Sequence, residues 1–187
     1  MTLPRILSVN VGGIREVEWN GRLVTTGIWK SPVAGRVAIH GENFDGDDQA
    51  DRTVHGGLHK AIYAYAVEDY AYWRDAEEFS IEHGLFGENL TVEGIDLSRA
   101  VVGERWHVGS AVLEIAQPRF PCFKLGIRVG DNGFPKRFQQ ALRPGAYLRV
   151  ITEGNVGTGD TIRVTDGPPG GVTMRSLVEV RNQRPAS

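Results

Sequence analysis

Sulfur is scarce in this chain: its 187 residues include one cysteine, Cys122, and two methionines. A single thiol excludes an internal disulfide, a four-cysteine zinc site and a cysteine-ligated iron–sulfur cluster, and it makes the cytoplasm the expected compartment. Long apolar runs are missing too. No segment approaches the ~20 residues of a membrane helix, and the run Ile6-Leu7-Ser8-Val9-Asn10-Val11 is too short for a signal peptide, so neither a membrane nor secretion is expected. Neither sign of charge dominates. With a formal net charge of -2 the chain has no global field that recommends a nucleic acid as partner, and any anion site has to be a local patch. A dinucleotide fingerprint, internal repeats, low-complexity tracts and charge blocks are all absent.

What the chain does have is glycine, 24 residues of it, punctuating short β-like runs. That texture predicts a mostly β fold, a barrel or sandwich with a few peripheral helices. Strands are expected at Arg5 to Val11, Arg36 to Ile39, Ala61 to Ala66, Asn89 to Val92, Arg105 to Val108, Ala111 to Ala116, Tyr147 to Ile151 and Thr161 to Val164. Val108-Gly109-Ser110-Ala111 reads as a tight hairpin. Helical spacing is confined to Val67 to Phe79, Pro135 to Leu142 and Met174 to Val180. In the first, Tyr70, Trp73 and Ala76 share a face opposite a solvated row of charges, which marks them as core packing. The length suits one domain over residues 1–165, with the Gly/Pro stretch Asp166 to Gly171 opening a linker and short tail over 166–187.

Cys122 lies in Gln117-Pro118-Arg119-Phe120-Pro121-Cys122-Phe123-Lys124-Leu125, directly after an expected strand. Pro118 and Pro121 cannot donate to a sheet ladder, so the chain should leave the strand there as a stiff loop that fixes the sulfur. Arg119 or Lys124, pointing toward the sulfur, would favour the thiolate, which attacks electrophiles and binds soft metals. A free cysteine is ordinarily a small buried hydrophobe; the loop-like, basic setting argues for a placed reactive group instead.

Other stretches offer polar chemistry. Gly41 to Arg52 is rich in carboxylates but lacks the glutamate that closes a calcium loop. In His55-Gly56-Gly57-Leu58-His59-Lys60, paired glycines let backbone amides approach a ligand, the imidazole offers an acid or base near neutral pH, and Lys60 adds a cation. An anionic group held by amides and lysine and an ordinary Gly-Gly turn are equally good readings. His55, His59 and Cys122 form a conceivable zinc set, which Gly56-Gly57 opposes by breaking the helix that His-x-x-x-His needs. Gly87-Glu88-Asn89-Leu90 leads from a turn into a strand, with Glu88 and Asn89 either capping backbone or reaching a pocket. Arg149 follows a similar turn at Pro144-Gly145 and would suit an anion.

Taken in order, His55-Gly56-Gly57 with Lys60, Gly87-Glu88-Asn89-Leu90, the Gln117 to Leu125 string and Gly145-Ala146-Tyr147-Leu148-Arg149-Val150 resemble the MOSC family. That domain is named for the C-terminus of molybdenum cofactor sulfurase, and the likeness is closest to its small bacterial YiiM-like branch. It covers about Lys30 to Val164, including Lys30-Ser31-Pro32-Val33 and Gly46-Asp47-Asp48-Gln49-Ala50-Asp51.

The resemblance implies a barrel-like fold and a cysteine that either ligates molybdenum in a bound molybdopterin cofactor or carries sulfur. For the YiiM-like branch it implies reduction of N-hydroxylated bases and related compounds. Cys122 takes the place of the molybdenum or sulfur ligand, and His55 joins it as a catalytic residue. Gly56, Gly57, Lys60, Glu88, Asn89, Arg119, Lys124 and Arg149 fall on positions that would face the anionic cofactor. Without a nucleotide fingerprint or a cluster, electrons are expected from a separate reductase. Two other uses of the thiol stay open: a persulfide carrier that hands sulfur on, and a metal-free redox sensor. The sequence departs from the family pattern at His59, where an acidic residue is more usual, and at Leu142-Arg143-Pro144-Gly145, which replaces Gly-Arg-x-Gly. It also stops short of the helical C-terminal extension of longer relatives, which the resemblance links to an electron-donor or dimer surface. Substrate identity and oligomeric state are not legible.

Overall fold

A computed structural model describes residues 3–41, 43–48, 58–76, 80–165 and 167–183. In chain order the elements are β1 (Arg5–Val11), β2 (Arg15–Trp19), β3 (Arg22–Thr26), β4 (Ser31–Pro32), β5 (Arg36–His40), β6 (Asn43–Phe44), a 3-10 turn (Leu58–Lys60), β7 (Ile62–Ala66), α1 (Val67–Ala76), β8 (Leu90–Glu93), β9 (Arg105–Val108), β10 (Ala111–Gln117), α2 (Phe123–Val129), α3 (Phe134–Gln140), β11 (Ala146–Thr152), β12 (Gly154–Gly157), β13 (Ile162–Thr165) and α4 (Met174–Asn182). Eight strands form one sheet in the order β13-β9-β10-β11-β7-β8-β1-β4. The sheet curls back on itself as a half-barrel. Thr161, just before β13, bridges Arg5 of β1, and the Ile6 amide donates to the Asp160 carbonyl at 2.9 Å. A small sheet, β12-β5-β6, lies beside it. The mostly β, barrel-like fold expected from the glycine-punctuated runs is therefore present, as are the hairpin pairing Val108 with Ala111 and the predicted helices. Among the described residues no helix is long and apolar enough to cross a membrane.

β7 shows how the architecture follows from side-chain alternation. All five of its residues are buried, because successive side chains of a strand point to opposite faces and both faces are covered. Ile62, Ala64 and Ala66 join Ile6, Val9, Leu113, Ile115 and Leu148 inside the barrel. Tyr63 and Tyr65 point outward, into an aromatic layer built from Tyr70 and Trp73 of α1, Leu125 of α2, Phe134 and Phe138 of α3, and Phe86. The pairing of β7 with β8 is the one parallel ladder among the described strands, and α1 lies in the connection between them, as a parallel crossover requires.

Three features were not anticipated. β2 and β3 form a hairpin whose turn, Asn20-Gly21, has φ of 51° and 72°, the left-handed pair that matches strand twist. α2 starts immediately after Cys122, so the proline-stiffened loop runs only to the cysteine and then becomes helix. Beyond the Gly/Pro stretch, α4 returns to the body: Met174 is fully buried in the barrel core and its amide donates to the Ala100 carbonyl at 3.0 Å.

Candidate functional site

Backbone register sets a row of polar and aromatic residues across the sheet. Gln117 at the end of β10 stands opposite Tyr147 of β11, and Tyr147 opposite Tyr63 of β7. Asn89, at the mouth of β8, continues the row: its amide donates to the Tyr63 carbonyl at 2.8 Å, and its side-chain oxygen accepts from the Tyr63 amide at 3.1 Å. Above this row opens a cleft with about 620 Å³ of unfilled space, part of it open to solvent. Thr26 at the end of β3, with Gly27, Ile28 and Lys30 from the β3–β4 connection, forms one wall. Arg119, Cys122 and Lys124 form another, and Lys60, Asp48 and Gly87 complete the lining.

Cys122 is half-buried. It occupies the N-cap of α2 with extended backbone, its carbonyl accepting from the Leu125 amide at 3.0 Å, and its side chain makes no capping bond. Local sequence dictates this placement: Pro121 fixes the approach, and Phe123 begins the helical turn. Arg119 is buried. Its guanidinium donates to the Phe86 carbonyl and lies over the Tyr63 ring, 4.9 Å from its centroid, a cation held against the cleft floor by an aromatic face. The Tyr63 and Tyr147 rings are 5.0 Å apart. Burial raises both phenols above their usual range, with Arg119 pulling the other way, so both hydroxyls keep their protons at neutral pH.

Lys30 is buried and ion-paired with Asp47. Burial pulls its ammonium below the usual lysine range, against the opposing pull of Asp47. Asp47 is held in turn by the Gly12 amide at 2.9 Å and by the side-chain nitrogen of Asn89 at 2.8 Å. Neither Lys30, Asp47, Tyr63 nor Tyr147 was singled out in the sequence as a site residue. Lysine and aspartate identify a buried pair only once the chain has brought them together across 17 positions, and the tyrosines read as ordinary strand residues.

The residues expected to carry chemistry separate into three groups. Cys122, Lys60, Arg119, Lys124 and Asn89 share the cleft. Glu88 and Arg149 do not line it. Glu88 is fully buried and its carboxylate accepts from Tyr70, from the Gly84 amide at 2.6 Å and from the Phe86 amide at 3.1 Å, which makes it an internal brace for the turn before β8. Arg149 donates to Glu114 at 2.8 Å on the neighbouring strand, and Glu114 also accepts from Arg105 at 2.9 Å; the arginine completes a cross-strand charge ladder away from the cleft. His55, Gly56 and Gly57 lie outside the described residues, so the conceivable zinc set keeps only His59 and Cys122 within them, and residues 42 and 49–52 of the carboxylate-rich stretch lie outside as well.

Four cations, Lys30, Lys60, Arg119 and Lys124, thus line one cleft of a chain whose net charge is -2. Among the described residues no group of three or more His, Cys, Asp or Glu side chains could enclose a metal ion. The cleft suits an anionic organic molecule that presents a single soft position to the thiol.

Comparison with known proteins agrees with this geometry. Residues 51–163 match the MOSC domain. The chain is 35% identical over 170 residues to the uncharacterized protein YflK of Bacillus subtilis, covering 91% of this chain and 77% of that one. It is 32% identical over 167 residues to a Gibberella moniliformis protein named "Reductase", covering 87% of this chain but 29% of that longer protein. The crystal structure of YiiM from Geobacillus stearothermophilus superposes with a TM-score of 0.77 at 30% identity, covering 96% of this chain and 84% of that one. The chain belongs to the MOSC domain family, as a small YiiM-like member.

Proposed function

We propose that the cleft holds a molybdenum–pterin cofactor through the Cys122 thiolate and its surrounding cations, and that the protein reduces N-hydroxylated bases or related N-oxygenated compounds. The observation that carries this reading is one half-buried thiol in a cation-lined cleft. A metal caged by protein alone needs several ligands, which the described residues do not supply. A metal that arrives already chelated by an organic dithiolate needs only one more soft donor, and MOSC domains are associated with such a cofactor. When bound, the cofactor supplies a metal centre that exchanges two electrons.

The remaining roles fall to the chain. Lys60 and Lys124 neutralise the anionic group, Arg119 orients it from the floor, Asn89 braces that floor by holding Asp47 and the Tyr63 backbone, and Tyr63 and Tyr147 offer an aromatic surface for a flat ring. His55 is assigned the acid that protonates the departing hydroxyl. Converting an N–OH compound to its amine consumes two electrons and two protons and releases water. Since the chain has no dinucleotide fingerprint, the electrons come from a separate reductase, and the reductase name of the longer fungal relative supports the reaction class.

The test is the molybdenum and pterin content of protein made in a host that synthesises the cofactor. Near-stoichiometric metal and pterin are expected in the native protein, with metal lost and the fold kept in Cys122→Ala. N-hydroxylated purine reduction is then the activity assay. Folded native protein that takes up neither component from excess cofactor would overturn the reading and leave persulfide transfer at Cys122 as the function to assay.

A further inference from the structure

The aromatic layer behind the cleft is richer in tyrosine than packing requires. Phe86, Phe134 and Phe138 fill this layer without polar atoms, yet Tyr63, Tyr65 and Tyr70 are as deeply buried. Each buried hydroxyl costs free energy unless it is hydrogen-bonded. Each one here has a partner: Tyr63 donates to the Pro144 carbonyl at 2.9 Å, Tyr65 accepts from the Trp73 indole nitrogen at 2.8 Å, and Tyr70 donates to the Glu88 carboxylate. These oxidisable rings are also contiguous. Tyr147 lines the cleft with Cys122. From it the ring centroids step 5.0 Å to Tyr63 and 6.2 Å to Tyr65. Tyr65 touches Trp73 through the indole hydrogen bond, and Trp73 lies 5.0 Å from Tyr72. Tyr72 is 41% exposed. An unbroken line of Tyr and Trp side chains therefore joins the thiol's cleft to the surface, with a branch 5.4 Å from Tyr65 to Tyr70 and its carboxylate.

We propose that this line is an escape route for oxidising equivalents, by which a radical formed at Cys122 is moved to Tyr72 and the thiol restored. A one-electron oxidant of the oxygen- or nitrogen-radical class removes a hydrogen atom from the thiol and leaves a thiyl radical. The thiyl sulfur takes one electron and one proton from Tyr147, re-forming S–H and leaving a phenoxyl radical. Electrons then pass inward one ring at a time, from Tyr63, Tyr65, Trp73 and last Tyr72: Tyr147, whose own proton is now on sulfur, takes a replacement from solvent in the open cleft, each inner ring recovers its own proton as it is reduced, and the exposed Tyr72 releases its proton to solvent. The Tyr72 radical accepts an electron and a proton from a soluble donor of the ascorbate or thiol class, which closes the balance. On the branch, Glu88 takes the phenol proton when Tyr70 is oxidised. The route uses only the thiol and aromatic side chains, so it stands or falls separately from the cofactor reading.

Because Cys122 is the only thiol, a ruthenium polypyridyl photosensitiser with a thiol-reactive arm can be attached at that single position. Flash excitation with an oxidative quencher then generates Ru(III) in the cleft. In the native sequence, phenoxyl and indolyl absorption should grow as Ru(III) decays, and electron paramagnetic resonance should place the long-lived radical on Tyr72. Tyr65→Phe and Trp73→Phe should each slow its arrival about tenfold or more, a change of roughly 1.4 kcal/mol or more in barrier. Tyr72→Phe, a surface change that leaves the core intact, should abolish that signal. Unlabelled protein treated with radiolytic nitrogen dioxide provides the second reading by mass spectrometry: Cys122 should be lost faster in Tyr65→Phe and in Tyr72→Phe than in the native chain. Ru(III) decay without aromatic radicals, a Tyr72 signal indifferent to Tyr65 and Trp73, or equal Cys122 loss in all chains would overturn the proposal.

Discussion

Lys30 and Asp47 show what a single buried charge pair commits the molecule to. Removing one partner leaves the other desolvated and unpaired, so Lys30→Met should cost about 3–5 kcal/mol in chemical denaturation, while the double change Lys30→Met with Asp47→Asn should recover most of the loss. Glu88 makes a pH-dependent commitment. Burial holds its carboxyl above the usual carboxylate range, so the folded chain binds this proton more tightly than the unfolded one does. Its contribution is complete below the ordinary value of 4.5 and is lost as pH rises through the higher folded value. The stability of the native protein minus that of Glu88→Gln should therefore fall across that interval; a difference that stays flat would contradict the buried, raised carboxyl. Among the residues that line the cleft, Cys122 stands out in the sequence because it is unique and set among prolines and cations. Glu88 and Arg149 show the limit of such reading: a charged residue beside a turn looks the same in sequence whether it faces a ligand, an amide or a neighbouring strand.

Short elements bring most of the cleft together, and their glycines set the tolerances. Gly145 precedes β11 with φ 63°, and a Cβ there would lie 2.5 Å from the Ala64 carbonyl and 2.8 Å from the Tyr63 ring. Gly145→Ala should cost about 1–3 kcal/mol from the backbone conformation alone, and it should shift the near-ultraviolet circular dichroism of the tyrosine layer. Unchanged spectra and stability would show that β11 can move away from β7. At this scale the long alternating strands and α1 were legible, since period is the strongest local signal. α2 was not: its seven residues include Gly126 in the middle, so helical periodicity is too short to register, and Gly126 is required because a Cβ would meet the Asp131 carbonyl at 2.8 Å. The β2–β3 hairpin carried a readable Asn-Gly signal, obscured because its flanking strands are largely exposed and β2 is rich in charge.

For the molecule as a whole, the seam between β1 and the lead-in to β13 decides whether the barrel curls. Asp160 anchors it, accepting from both terminal nitrogens of Arg36 at 2.9 and 2.8 Å and from the Gly157 amide at 2.9 Å. The hydrogen bond from Arg36 holds the Asp160 carboxyl below its usual range. Its stabilisation is thus present above the unfolded value of 3.8 and lost as pH falls through the lower folded value. Asp160→Asn should be less stable than the native protein at neutral pH, and the two denaturation curves should converge in acid; a gap that persisted below that window would mean the pair contributes through shape alone. Strand order was the least legible property, because the pairing of β7 with β11 and β8 depends on contacts far apart in the chain and leaves no local mark. One consequence of β7 reaches beyond stability. A single-residue insertion or deletion in it would exchange the barrel-facing and cleft-facing sets, since side chains alternate with period two. Substitutions can accumulate in that strand during descent, but changes of length cannot, so the floor of the cleft and the heart of the barrel must be inherited together. The β3–β4 connection supplies a wall and no core strand, yet the buried pair of its Lys30 with Asp47 ties that wall to the same constraint.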